Sequence, residues 1–322
     1  MPRATRGGGG QQSSAVLVTG AAGFLGSHVV KMLSDGGKHE VLATDVVQSE
    51  RAGQLEALPH VQFRAADLRG HAAIEDLVLR SGTVVHLAAV RTQAAASEPR
   101  AAYDINVGAT YDLISLAAQH SRRFVFGSSH TVYGPAADPG VAAYREGDET
   151  VRPGLSMYSA SKLAAEAFLS AFAASDGLDY LSLRFGTIYG PRVNADSVGG
   201  ILLAILDALD HGRRPAVPWA RDSVHALTYS GDAAHAVVRA IDVAGQPGPV
   251  NVVGEPITAE LMYTTLVKLA GGDPAVLDWR DERTRYQRVD AHRLRSVLGI
   301  ESQTSLEEGL TAVIDWHRSG RD

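Results

Sequence analysis

Residues 15–28 constrain this chain more than any other stretch. Ala15-Val-Leu-Val18 is a short apolar run of the kind that makes a fully buried strand. Thr19-Gly20 break it, and from about Phe24 the apolar positions Leu25, Val29 and Leu33 fall on one helical face. Glycines stand at 20, 23 and 26, where the backbone must turn or let another group approach. A helix N-terminus leaves its first N–H groups unpaired and carries the positive end of the helix dipole, so strand, turn and helix together make an anion site. Glycine-rich turns are common, and the signal rests on its context, a strand before and a helix after. The reading is a dinucleotide site with Gly20, Gly23 and Gly26 at the pyrophosphate.

The rest of the chain supplies a sheet around that strand. Asp35-Gly-Gly37 stops the first helix. Residues 40–45 predict a second strand ending in Asp45, nineteen residues after Gly26, close to the ~20 expected of a ribose-binding acid. Further strands are expected at 61–67, 83–89, 123–129 and 178–185, with helices at 71–80, 99–119 and 157–175. In 99–119 the expected buried positions are Tyr103, Val107, Leu113, Ile114 and Ala117. This alternation predicts a parallel sheet with helices on both faces. Residues 136–155, rich in Pro, Gly and acids, read as a loop. Beyond Gly186 helices are expected at 198–211, 231–243, 258–270, 290–298 and 305–317, with one strand at 249–253. The fold class is therefore α/β, a Rossmann-type doubly wound parallel sheet with a smaller, mostly helical C-terminal substrate domain. Residues 15–186, with part of 224–253 returning, form the expected cofactor domain, 187–322 the substrate domain and 1–14 a disordered tail.

Composition removes several classes of function. The 322 residues are 45% hydrophobic with a net charge of -6, so no basic footprint suggests nucleic acid. There is no cysteine, which excludes disulfides, thiolate metal sites and a cysteine nucleophile. The twelve histidines show no metal-like spacing, and no metal is expected. No apolar run approaches the ~18 residues of a membrane span, and the first fourteen residues lack the apolar core of a secretory signal. The expectation is a cytoplasmic protein.

Tyr158-Ser-Ala-Ser-Lys162 is the second anchor. Residues four apart share a helix face, and a cation beside a phenol favours the phenolate. Such a Tyr is a competent general base for a hydroxyl. By itself Y-x-x-x-K is short and reads better as a surface pair on an alanine-rich helix. Ser128-Ser129 end the fifth strand, where open sheets present reactive groups, and a hydroxyl there could orient a substrate oxygen toward the Tyr. Glycine turn, ribose acid, strand-end Ser and Y-x-x-x-K in that order are hard to obtain by chance.

With these motifs the chain resembles the extended short-chain dehydrogenases/reductases, and within them the nucleotide-sugar epimerase/dehydratase group. The resemblance runs through Thr19-Gly-Ala-Ala-Gly-Phe-Leu-Gly26, Asp45, Asp67-Leu68, His86-Leu-Ala-Ala89, Asn106-Val-Gly-Ala-Thr110, Ser128-Ser-His-Thr-Val-Tyr-Gly134, Tyr158-Ser-Ala-Ser-Lys162 and Arg184-Phe-Gly-Thr-Ile-Tyr-Gly-Pro191. It continues in Arg221-Asp-Ser-Val-His225, Asn251-Val-Val-Gly254 and Thr304-Ser-Leu-Glu-Glu-Gly-Leu310. It implies that Tyr158 is the base, that Lys162 holds the nicotinamide ribose and that Ser129 is the catalytic hydroxyl. Gly20, Gly23, Phe24, Leu25 and Gly26 would form the pyrophosphate turn. Asp45 would bind the adenine ribose and repel a 2′-phosphate, selecting NAD over NADP. Asp67, Leu68, Leu87, Ala88, Ala89 and Asn106 would line the cofactor. Ser128, His130, Thr187, Arg192 and Arg221 would face the substrate, Arg221 meeting its pyrophosphate. The helices around residues 104–119 and 157–172 resemble a pair that forms a homodimer interface.

The same resemblance sorts the reaction. Relatives that remove water at C5–C6, or decarboxylate hexuronates, place an acid shortly after the catalytic Ser/Thr, whereas this chain has Ser129-His130-Thr131. Relatives that epimerise at C3/C5 with a Cys acid are excluded by the lack of Cys. What remains is 4-epimerisation of a UDP-hexose or UDP-hexuronate through a transient 4-keto sugar, or a net sugar or alcohol oxidoreductase, or a non-catalytic NAD-binding protein. Thr187 stands where epimerases of neutral UDP-hexoses carry Asn and looks like the UDP-glucuronate 4-epimerases. Asn194 replaces a second basic residue expected after Arg192, and the 193–200 segment is short.

Overall fold

Each apolar run finds its partner beside it in one sheet. The computed structural model describes residues 15–46, 48–120, 122–134, 142–150, 153–193 and 199–320. The expected tail at 1–14, Asn194 and residues 136–141 and 151–152 of the loop expected at 136–155 lie outside the described residues. In chain order the strands are β1 (Val16–Thr19), β2 (Val41–Asp45), β3 (Val61–Ala65), β4 (Thr83–His86), β5 (Arg123–Ser129), β6 (Tyr180–Phe185), β7 (Thr187–Tyr189), β8 (Ala216–Trp219), β9 (Val224–His225), β10 (Leu227–Tyr229), β11 (Val250–Val252), β12 (Ile257–Thr258) and β13 (Asp278–Arg283). Seven of them form a parallel sheet in the order β11-β6-β5-β4-β1-β2-β3. The order reverses between β1 and β4, and the crevice outside the carboxyl ends of those two strands is where such sheets bind ligands.

The helices are α1 (Phe24–Gly36), α2 (Glu50–Glu56), α3 (His71–Leu79), α4 (Thr92–Ser97), α5 (Pro99–Tyr103), α6 (Thr110–Gln119), α7 (Met157–Asp176), α8 (Gly200–Asp210), α9 (Ser230–Asp242), α10 (Ala259–Leu269), α11 (His292–Leu298) and α12 (Leu306–Arg318). Among the described residues no helix is long and apolar enough to cross a membrane. Side chains alternate along a strand, and the sheet uses both faces. Val16, Val18 and Val125 pack with Val29, Val30, Leu33, Val237 and Ile241 of α1 and α9. Leu17, Phe124 and Phe126 point the other way, onto Ile74, Leu77, Leu113, Ile114 and Leu169 of α3, α6 and α7. Burial on both faces is why these strands read as unbroken apolar runs. A separate core joins Leu202, Leu206, Val217, Met262, Leu266, Leu310 and Val313 of α8, β8, α10 and α12. Only Gly186 separates the end of β6 from the start of β7, so this second core begins at the carboxyl edge of the sheet.

Three local expectations change. The single helix expected at 99–119 is α5, a π-helical turn at Asp104–Ala109 and then α6. The wider turn alters the phase of the face, and Tyr103, expected to be buried, is 49% exposed. β4 stops at His86 rather than at residue 89, because Leu87–Ala89 run past the glycine turn instead of continuing the ladder. The chain beyond Gly186 also contains three short strand pairs, β7–β10, β9–β12 and β8–β13, among its helices.

His86 shows what burial does within this frame. Its ring meets the Thr19 hydroxyl at 2.7 Å and the Thr110 hydroxyl at 2.9 Å. Burial, with Lys162 nearby, pushes its pKa down to about 3. A folded-state pKa below the unfolded ~6.5 means the neutral ring's contribution is full above about pH 6.5 and is lost as pH falls toward 3, at ~1.4 kcal/mol per pH unit. Replacing His86 with Gln should lower the slope of unfolding free energy against pH between about 6 and 4 by one proton. A slope equal to that of the parent would refute this assignment.

Candidate active site

β1 delivers the chain to Gly20, which sits at φ +69°. A Cβ there would lie 2.7 Å from the Ala88 backbone nitrogen, and one on Gly26 would lie 2.0 Å from the Gly20 carbonyl. The helix that follows has Gly23 as its N-cap, with no side-chain cap and no acid in its first turn. Its open N–H groups and dipole fit a pyrophosphate. Phe24 and Leu25 are half-buried, Leu25 against the sheet core and Phe24 against the second core. The Asp45 carboxylate accepts from Ala22 N at 3.0 Å and Val46 N at 2.8 Å, which ties the end of β2 to the turn. These residues fit the adenosine and pyrophosphate portions of a dinucleotide.

The other cofactor-side expectations also gather at this crevice edge. Asp67, after β3, accepts from Arg69 N and Nε at 2.9 Å, and these bonds hold its carboxyl below the usual range. Leu68 beside it is half-buried on the outer core. Leu87, Ala88 and Ala89 are half-buried after β4. Asn106, in the π-helical turn, accepts from Val90 N at 2.7 Å and donates to Val90 O at 2.9 Å and to Ser161 Oγ at 3.2 Å. It therefore clamps the segment after β4 to α7.

α7 begins at Ser156, whose hydroxyl accepts from Ser159 N at 3.1 Å, and this start sets Tyr158 and Lys162 one turn apart. Lys162 is 4% exposed, donates to Gly127 O at 2.7 Å and lies 4.7 Å above the Phe126 ring and 5.6 Å from that of Tyr158. Burial lowers its pKa to about 8, against the pull of Glu166. Tyr158 departs from expectation. Desolvation pushes its phenol up to about 12, and the groups that draw it down are Ser129 and Arg91 rather than Lys162. Ser129 ends β5, and its hydroxyl accepts from Thr131 N at 3.2 Å and Thr131 Oγ1 at 3.0 Å.

The expected substrate residues divide. Ser128 donates to Glu166 at 2.6 Å, and Glu166 holds the buried Arg184 through Nε at 3.0 Å and Nη2 at 2.7 Å. This network braces β5, β6 and α7. His130 is fully buried, with Nδ1 donating to Phe185 O and Nε2 meeting the Gln287 side chain, both at 2.8 Å. Neither ring nitrogen is spare for a ligand. Thr187 lines a small cavity with Tyr189, Leu202, Leu227 and Met262. Arg192 has a left-handed backbone, φ +68°, and stands near His28 and Arg51; the His28 ring also meets Pro191 O at 3.1 Å. Its charge lies toward the glycine turn. Arg221 is half-exposed, pairs with Glu260 at 2.9 Å and stacks on Trp279 at 4.7 Å.

Sequence reasoning passed over four side chains at this site. Arg51 donates to Ala22 O at 3.3 Å, and Arg91 acts on the Tyr158 phenol. Arg285 and His225 meet at Trp219, the guanidinium 5.2 Å and the imidazole 4.8 Å from its ring. Arg91 lies two residues after the strand-end motif His86–Ala89, which was a usable signal. Arg285 lies in an arginine-rich stretch without periodicity and offered none.

Comparison with known proteins shows what the chain as a whole is similar to. The model of the NAD dependent epimerase/dehydratase family matches residues 16–254. The UDP-glucose 4-epimerase of Mycolicibacterium smegmatis is 30% identical over 316 residues, 94% of this chain and 98% of that protein. The dTDP-glucose 4,6-dehydratase of the same organism is 30% identical over 317 residues, 94% of this chain and 93% of that protein. The structure of MoeE5 in complex with UDP-glucuronic acid and NAD superposes with a TM-score of 0.80 at 29% identity, covering 95% of this chain and 99% of that one.

Proposed function

The chain belongs to the NAD-dependent epimerase/dehydratase family and uses NAD as its cofactor, and on that premise we propose that it interconverts C4 epimers of a UDP-linked hexose or hexuronate. The observation that carries this reading is the neighbour of Ser129: a Thr131 hydroxyl hydrogen-bonds it at 3.0 Å, with no acid in that position. Loss of water from a neighbouring carbon calls for such an acid, whereas 4-epimerisation needs only one base and a hydride. In this reading residues 15–186, with part of 224–253, hold the cofactor, and 187–322 hold the sugar nucleotide.

Bound NAD would supply the hydride acceptor and donor and the positive charge of its oxidised ring. The first turn of α1 would hold its pyrophosphate, Asp45 its adenine ribose and Lys162 its nicotinamide ribose. Ser129 would orient the C4 oxygen while Tyr158 Oη takes its proton. The hydrogen bond with Ser129 and the charge of Arg91 favour the phenolate that burial otherwise disfavours. Once the keto sugar has turned its other face, Tyr158 would return the proton. Large exposed side chains at Tyr103, Tyr111 and Met157 on α5, α6 and α7 support pairing of two copies through these helices.

The test is separate incubation with UDP-glucose, UDP-galactose and UDP-glucuronate, with products resolved chromatographically. The expected result is a C4 epimer from at least one of them with no net NADH. Continuous NADH formation would instead establish a net oxidoreductase, and a 4-keto-6-deoxy product would establish a dehydratase.

A further inference from the structure

In the second half of the chain an aromatic floor carries cations and, among the described residues, no acid in contact with its ring. Trp219, at the end of β8, has the Arg285 guanidinium 5.2 Å and the Arg283 guanidinium 5.8 Å from its ring centre. His225, on β9, meets the same ring edge-on at 4.8 Å. The imidazole is 1% exposed, and both of its nitrogens are buried without a hydrogen-bond partner. Buried polar groups in native proteins are normally paired, and leaving one unpaired costs ~1–3 kcal/mol. This cluster adjoins the candidate catalytic strand end. Val224 N donates to Arg285 O at 2.6 Å, Gln287 N donates to Val224 O at 3.0 Å, and the Gln287 side chain meets His130, the residue after Ser129.

The chemistry that suits two guanidiniums and an unpaired imidazole is a multiply charged anion. On the reading above, which this inference rests on, that anion is the diphosphate of the sugar nucleotide. We infer that binding the diphosphate beside Arg285 protonates His225, so that ligand and proton enter together and affinity falls as pH rises. Without the ligand the ring is neutral at pH 7, since burial first, then Arg285 and His130, push its pKa down to about 4. The charged and titratable groups that face it are Arg285 beyond β13, His130 beyond β5 and, across Trp219, Arg283 on β13. Tyr263 of α10 borders Arg285 as a neutral phenol whose pKa burial raises. None of these is an acid. A diphosphate reverses the sign of the local field and offers the imidazolium the acceptor it lacks.

Linkage then sets the size of the effect. Between the free and the bound pKa of His225, Kd should rise about tenfold per pH unit. Calorimetry tests this with UDP-glucose, whose phosphates do not titrate near neutrality, on the NAD-bound Tyr158→Phe protein, which avoids turnover heat. Titration in buffers of different ionisation enthalpy should show uptake approaching one proton near about pH 6. On the same background His225→Gln should bind with no uptake and a flat pH profile. Binding without uptake in the parent, or uptake that persists in His225→Gln, overturns the inference and leaves the nucleotide-sugar reading intact. If His225→Gln does not fold, uptake in the parent decides. No binding heat and no shift in Tm with UDP-glucose would bring down both.

Discussion

Tyr158→Phe is expected to lower kcat about 10²–10⁴-fold, the usual contribution of a positioned general base, while NAD stays bound and UDP-glucose still binds. The substitution removes one hydroxyl and keeps the ring that lies against Lys162. Lys162 keeps its bond to Gly127 O, and Ser129 its bonds to Thr131. The loss should therefore fall on kcat and not on the binding constants. Steady-state kinetics with bound NAD measured on the denatured protein separates the two. Activity within a few-fold of the parent would remove Tyr158 from the chemistry. An equal fall in NAD content would make it a cofactor ligand instead.

The second large effect is expected at the glycine turn. Gly26→Ala places a Cβ 2.0 Å from the Gly20 carbonyl and 2.9 Å from Ala21 Cα, both backbone atoms that no rotamer change can clear. The turn must open, which pulls Gly20 away from Ala88 and spoils the helix N-terminus. Overpacking of this kind typically costs ~1–3 kcal/mol. We expect copurifying NAD to be lost along with a lowered Tm. Gly36→Ala is the control, since that Cβ meets nothing within 4 Å at the end of the same helix, and in a helix it should be neutral or stabilising. Full NAD occupancy in Gly26→Ala would show that the turn is not the pyrophosphate cradle.

Much of this was legible before any coordinates, where local physics decides. The apolar run before Gly20, the face of Leu25, Val29 and Leu33, and the spacing to Asp45 depend on neighbours a few residues away. β1, α1, β2 and β5 accordingly lie close to where periodicity places them. The phase of 99–119 was not legible, because the π-helical turn is fixed by Asn106 reaching Val90 and Ser161 across the fold. The short strands β7 to β10 were missed for a similar reason. At two to four residues they carry no period, and only their partners define them.

The sequence by itself determined the class of fold and the NAD cofactor, and it named the candidate residues of the site. A glycine turn between strand and helix, a strand-end Ser and a Tyr one turn before a Lys are each short-range patterns with a direct physical meaning. Only the tertiary structure decided which polar residues are free to act. It commits Ser128 to Glu166, His130 to Phe185 and Gln287, and Arg221 to Glu260. It also brings Arg285 and His225 onto Trp219 from segments about sixty residues apart. Hydrogen-bond partners and desolvation depend on what the fold packs around a group, and residue type and spacing along the chain carry no record of that.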